Sequence, residues 1–167
     1  LDRVELSRNQ AFNGGAVLNT GDLVAVSVIL TDNKAVSTNA STGFGGALYH
    51  ESGSYGLFGS RVESNIAPFN GGGIYALGTG VIVDTLFTGN QSNGIGGGID
   101  TAGPLTLIGS TLTHNSANDG GGLATRTAAA NVAITTSTFA HNVATGLDLG
   151  GGGGAFNYQG MLSVVDS

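Results

Sequence analysis

The chain contains no cysteine. Disulfides and thiolate metal sites are therefore excluded, and the fold is indifferent to an oxidising or a reducing compartment. Charge is scarce as well: charged residues make up 10% of the 167, with five Lys and Arg against eleven Asp and Glu, for a formal net charge of −6. A basic surface that could track a phosphate backbone cannot be assembled from so few cations, which argues against nucleic acid as a partner. No apolar run approaches the roughly 18 residues of a membrane helix, so no membrane span is expected. No segment sustains a helical apolar period, and each of the frequent glycines would weaken a helix by about 1 kcal/mol relative to alanine. Essentially no α-helix is expected. The chain begins at Leu1 rather than at methionine, and it reads as one domain, residues 1–167, cut from or interior to a longer protein.

What is present is glycine, 31 residues of it, together with abundant Ser, Thr and Asn. Such a composition would suggest disorder if the apolar residues were not so regularly placed. An apolar residue stands three places before an asparagine six times: Leu6 and Asn9, Leu30 and Asn33, Val62 and Asn65, Phe87 and Asn90, Leu112 and Asn115, Phe139 and Asn142. A glycine phrase answers each copy, as in Gly45-Gly46-Ala47-Leu48, Gly97-Gly98-Ile99 and Gly153-Gly154-Ala155-Phe156. From asparagine to asparagine the intervals are 24, 32, 25, 25 and 27 residues, a solenoid period far too long for heptads. Before each asparagine lies a β-rich run: Leu23 to Leu30, Leu57 to Val62, Val81 to Phe87, Leu105 to Leu112 and Val132 to Phe139.

Stacked in register, such coils place equivalent residues directly above one another at about 4.8 Å. Three ladders follow. The first is Leu6, Leu30, Val62, Phe87, Leu112 and Phe139. Two places earlier comes a mostly hydroxyl ladder of Val4, Val28, Ser60, Thr85, Ser110 and Ser137. The third, after the glycines, is Val17, Leu48, Ile74, Ile99, Leu123 and Phe156, and a further inward row runs through Ala25, Leu57, Ile82, Leu107 and Ile134. Asparagine is expected at the corner, tolerating left-handed geometry and bonding the asparagine of the next coil. The glycines supply positive φ or close backbone approach between layers. The predicted fold is all-β: a single-stranded right-handed parallel β-helix, or β-solenoid, of about six coils of roughly 25 residues with three short strands each, near 30 Å long.

Coupled to the glycine phrase, the apolar-x-x-Asn phrase resembles the polymorphic outer-membrane protein repeat of autotransporter passengers and, more broadly, right-handed parallel β-helix repeat proteins of bacterial cell surfaces. The copies that carry the resemblance best are Phe87 to Asn90 with Gly97 to Ile99, and Phe139 to Asn142 with Gly153 to Phe156. It implies secreted passengers, adhesins and surface filaments, hence an extracellular or cell-surface location.

Chemistry is harder to place. The acids are scattered over non-equivalent coil positions, so the carboxylate pair that glycoside cleavage requires is not assembled, and no catalytic residue is assigned. The chain is not expected to be an enzyme, and no metal or cofactor is assigned. His114 and His141 occupy the same place before successive asparagines and should stack at the outer surface, where two imidazoles without a third ligand make a weak metal site. Phe87, Phe139 and Phe156 are expected in the core, while Tyr49, Tyr55, Tyr75 and Tyr158 are candidates for outward contact with a glycan or a host-surface ligand. Side loops are expected over Lys34 to Phe44, Ala124 to Asn131 and Val143 to Gly152, with polar contacts. Asn39-Ala40-Ser41 and Asn90-Gln91-Ser92 match the glycosylation pattern, the second accidentally. The strands at Leu1 to Leu6 and Leu162 to Ser167 carry no polar cap, so continuation of the same solenoid or end-to-end self-association of subunits is expected. The reading is a structural or adhesive rod or filament subunit, with a carbohydrate-binding or polysaccharide-cleaving β-helix as the alternative.

Overall fold

The computed structural model describes residues 1–39, 42–146 and 151–167. Ala40 and Ser41 of the first glycosylation match, and Asp148 within the last side loop, lie outside these residues. The described chain contains no helix and folds into four six-stranded sheets in which every named pairing is parallel and joins successive coils. This is a parallel β-solenoid of six coils. One sheet holds the residues before each asparagine, for example Leu86–Thr88, and a second the two residues after it, for example Gln91–Ser92. A third, the glycine sheet, follows each glycine phrase, as at Ile99–Thr101. The fourth, called here the flat sheet, contains Leu23–Val26, Ser54–Phe58, Thr79–Val83, Leu105–Ile108, Asn131–Thr135 and Met161–Val165.

Each coil thus has four strands where three were expected. The long run before the asparagine is broken in every coil by one residue at positive φ: Ser27, Gly59, Asp84, Gly109 and Thr136, with φ between 49° and 58°. A single left-handed residue bends the chain and cannot stay in the ladder, so one predicted strand becomes two.

The ladders form in the expected register. Leu6, Leu30, Val62, Phe87, Leu112 and Phe139 pair in sequence through the pre-asparagine sheet. Ala25, Leu57, Ile82, Leu107 and Ile134 do so through the flat sheet. These rows, with Leu48, Ile74, Ile99 and Leu123, make one continuous buried core. No coil could bury it alone, because each contributes only a few apolar side chains to a column shared with its neighbours.

The third ladder departs from expectation at its last member. Val17, Leu48, Ile74, Ile99 and Leu123 stack as predicted, but Ala155, not Phe156, sits opposite Leu123. Phe156 pairs with Ala124 and points outward, half-exposed. The last coil aligns Gly154 with Gly122, so a run of glycines that fits two registers settles one residue away from the sequence-based choice.

Candidate functional site

The asparagine corner is the most regular part of the molecule. Asn33, Asn65, Asn90 and Asn115 are fully buried, with Asn142 half-buried and Asn9 exposed at the two ends of the column. The Asn90 side-chain amide donates to the Val62 carbonyl at 2.8 Å and to Asn115 Oδ1 at 2.9 Å. Its own Oδ1 accepts from the backbone N–H of Asn65 at 3.1 Å and from Asn65 Nδ2 at 2.9 Å. Two donors and two acceptor sites are all used, which is what permits burial of so polar a side chain. The left-handed residue is not the asparagine but the one before it: Arg8, Asp32, Ser64, Gly89, His114 and His141, with φ between 53° and 65°. The asparagine carries the hydrogen bonds and its predecessor makes the bend.

A second polar column runs beside the core. The Ser110 hydroxyl accepts from the Thr85 N–H at 3.1 Å and donates to the Ile108 carbonyl at 2.9 Å, and Ser60, Thr85 and Ser137 repeat the pattern. Small hydroxyls fit because each must accept from the coil before it and donate within its own. At the glycine edge, Gly96 has φ of 68°, and a Cβ on Gly97 would lie 2.4 Å from the Gly121 carbonyl oxygen. Positive φ and close approach are therefore divided between successive glycines of one phrase. Sequence reasoning missed a further device here: Asn13, Asn70 and Asp119, each just before a glycine, accept backbone N–H groups from the next coil. The Asn-Gly and Asp-Gly dipeptides were the available signal.

The outward face of the glycine sheet is where side chains with chemistry converge. Tyr49, Tyr75, Asp100, Ala124 and Phe156 stack across it in register. Tyr49 and Tyr75 have ring centroids 5.2 Å apart, and Phe44 from the first long side loop packs 4.7 Å from Tyr75 and 5.5 Å from Phe69. That loop, expected to offer polar contacts, instead packs one aromatic side chain, Phe44, against Tyr75. From the next excursion Arg126 reaches back to Asp100, its Nε 2.8 Å from both carboxylate oxygens, and its guanidinium lies 4.6 Å from the Tyr75 ring centroid.

Asp100 is fully buried, and burial pushes its carboxyl up to about 7 against the opposing pull of Arg126 and Asn70. Burial also raises the Tyr75 and Tyr49 hydroxyls. Desolvation pulls Arg126 down, but Asp100 and Tyr75 together outweigh it and hold the guanidinium charged. Arg126 Nη2 is buried without a hydrogen-bond partner. Beside it opens a cleft of about 340 Å³ lined by Ile95, Arg126, Phe156 and Tyr158. Phe156 and Tyr158 have ring centroids 6.2 Å apart, and Tyr158 is well exposed.

The remaining expected contact residues divide. Tyr55 is not outward: it shares the inward row with Leu23, Gly80, Leu105 and Val132, and a Cβ on Gly80 would meet its ring at 2.3 Å. Glycine in the next coil makes the space that a tyrosine needs inside the core. Its ring packs 4.8 Å from buried His50, and the Tyr55 hydroxyl and His50 Nε2 are unpartnered. His114 and His141 do stack at the surface, with centroids 5.0 Å apart, and His114 Nδ1 is bonded to Thr113 Oγ1. Among the described residues no three His, Asp or Glu side chains gather as a metal site. No helix of the described chain is long and apolar enough to cross a membrane.

Residues 84–102, the part of one coil that runs from the bend at Asp84 through Asn90 to the glycine sheet, match the family model of the Chlamydia polymorphic membrane protein repeat. No curated protein matches the chain, and no solved structure does. The match and the parallel β-solenoid together fit a β-helix repeat protein of the polymorphic membrane protein kind, and the family description points to surface association.

Proposed function

We propose that the chain is an extracellular structural and adhesive β-helix, a rigid rod or filament subunit at a bacterial cell surface that holds loops away from a regular shaft. One observation carries the reading. The interval from the inward row of the flat sheet to the asparagine is the same in every coil, as in Leu57 to Asn65, Ile82 to Asn90 and Leu107 to Asn115, while the long excursions flank the glycine sheet. A scaffold kept constant on one side and varied on the other is how repeat proteins separate support from recognition. The low charge and continuous ladders suit a durable shaft, and binding to a surface ligand would fall to the loop side. Antibodies against residues 36–39 and 126–129, applied to intact cells and followed by electron microscopy, are expected to decorate rods or fibres at the surface. Labelling only after lysis would refute the proposal.

A second reading, carbohydrate binding, is favoured by the cleft at Arg126. Its aromatic pair Phe156 and Tyr158, with Ile95 and the Arg126 side chain completing the lining, is the kind of mostly apolar pocket with a polar group that takes one sugar ring. Binding fits better than cleavage, because the buried carboxylate beside the cleft is tied to Arg126 and cannot move freely as an acid or a base. A glycan array should show binding that Tyr158→Ala abolishes. An array blank for the wild type would remove this reading.

A further inference from the structure

The outward side of the flat sheet differs from the other walls. In the column Val26, Phe58, Val83 and Ile108 stack directly, and in the neighbouring column Val24 and Val81 flank Gly56. The remaining members of the two columns are Thr, Ala, Ser and Val, except that Asp2 stands opposite Val26 at the first-coil end, so among the described residues the two columns hold one charge, at their edge. A Cβ on Gly56 would lie 2.6 Å from the Phe58 ring, so that ring lies flat across the glycine and fills what would be a groove. Val24 is 60% exposed, Val81 38% and Ile108 37%. The glycine sheet packs Phe44 and Arg126 against Tyr75, whereas no described ring or cation contact crosses this sheet. Contiguous exposed apolar surface of this kind marks a contact site rather than ordinary surface.

We infer that this face is a lateral docking surface for a second copy of the same chain, two solenoids packing flat sheet against flat sheet about a two-fold axis. Charge is the first argument. The chain carries a net charge of −6, so most of its surface repels a second copy, but this face brings no charged column toward its mate. An anionic lipid surface would instead call for basic residues, and the two columns supply none. Shape is the second: a copy presents the same strand spacing and twist, so its side-chain rows can seat between these at the usual separation of about 10 Å for stacked sheets. Area sets the strength. Six strands at about 4.8 Å, each exposing four or five residues at about 3.3 Å, give a footprint of about 430 Å², roughly half of the 800 Å² per partner typical of a stable complex. The dimer is accordingly weak and reversible, and becomes firm where many chains are held side by side.

Sedimentation velocity from about 5 µM to about 1 mM, the range a contact of this size requires, is expected to show a monomer–dimer equilibrium. Val81→Lys and Ile108→Lys should each weaken it at least tenfold with unchanged circular dichroism, since both side chains point to solvent in the monomer. Leu18→Lys, on the outward side of the glycine sheet, should leave it intact. A single monomer species over the whole range would overturn the inference. So would association insensitive to both flat-sheet lysines, or binding to phosphatidylcholine vesicles that Val81→Lys abolishes while the protein alone stays monomeric.

Discussion

The asparagine corner and the glycine edge are built from the same repeat, yet they behave oppositely along the solenoid. At the corner the four inner coils spend the same residues on the same bonds: one left-handed residue, one buried asparagine, two donors and two acceptor sites filled. At the edge the coils diverge. Phe44 folds over Tyr75, Arg126 returns from a loop to Asp100, and Phe156 turns outward where the preceding coils place Tyr49, Tyr75, Asp100 and Ala124. A column of identical polar groups can be buried only if each layer satisfies the next, so the corner tolerates no change. The edge meets solvent on one side and can absorb insertions there.

The sharpest way to break this comparison is to remove one rung of the corner. Asn90→Ala deletes four hydrogen bonds and leaves Asn65 and the Val62 carbonyl with buried unpaired groups, so a loss of about 4 kcal/mol is expected at about 1 kcal/mol per orphaned bond. Urea unfolding measures it. A smaller effect is expected from Thr85→Val, which keeps the shape but withdraws the hydroxyl that accepts from Ser60 N–H and donates to the Val83 carbonyl; about 2 kcal/mol should be lost.

The edge should respond to pH instead. Because the folded Asp100 carboxyl is raised to about 7 from an ordinary value near 3.8, the unfolded chain releases that proton first. The contribution of Asp100 to stability is therefore full below about pH 4 and declines as pH rises toward 7. In Asp100→Asn that part of the slope should vanish, read from denaturation midpoints between pH 4 and 8. Smallest of all, Tyr158→Ala should change stability by less than about 0.5 kcal/mol, as expected for an exposed side chain.

The two regions also differ in how far they could be read from sequence. The corner and the inward rows were legible because the asparagine interval is constant and a strand alternates strictly, so one aligned coil fixes the next. The predicted single strand before each asparagine failed at Ser27, Asp84 and Thr136, where residues of ordinary appearance adopt left-handed geometry that only the closing of the coil demands. Tyr55 was misplaced because the space it fills is made by Gly80, a coil away. Phe156 was misplaced because consecutive glycines permit two registers, and no local preference chooses between them. The Asp100–Arg126 pair was invisible for a related reason: its members come from different coils, one from an ordinary strand and the other from an excursion with no repeat to align.

Backbone amide hydrogen exchange, resolved by residue, tests the division most directly. The amides of Asn33, Asn65, Asn90 and Asn115 each donate to the asparagine of the next coil and should exchange only with global unfolding, while those of Ser37 and Thr38 in the side loop exchange orders of magnitude sooner. Asparagine amides that exchange in step with the loop would contradict the account of a constant shaft bearing a variable edge.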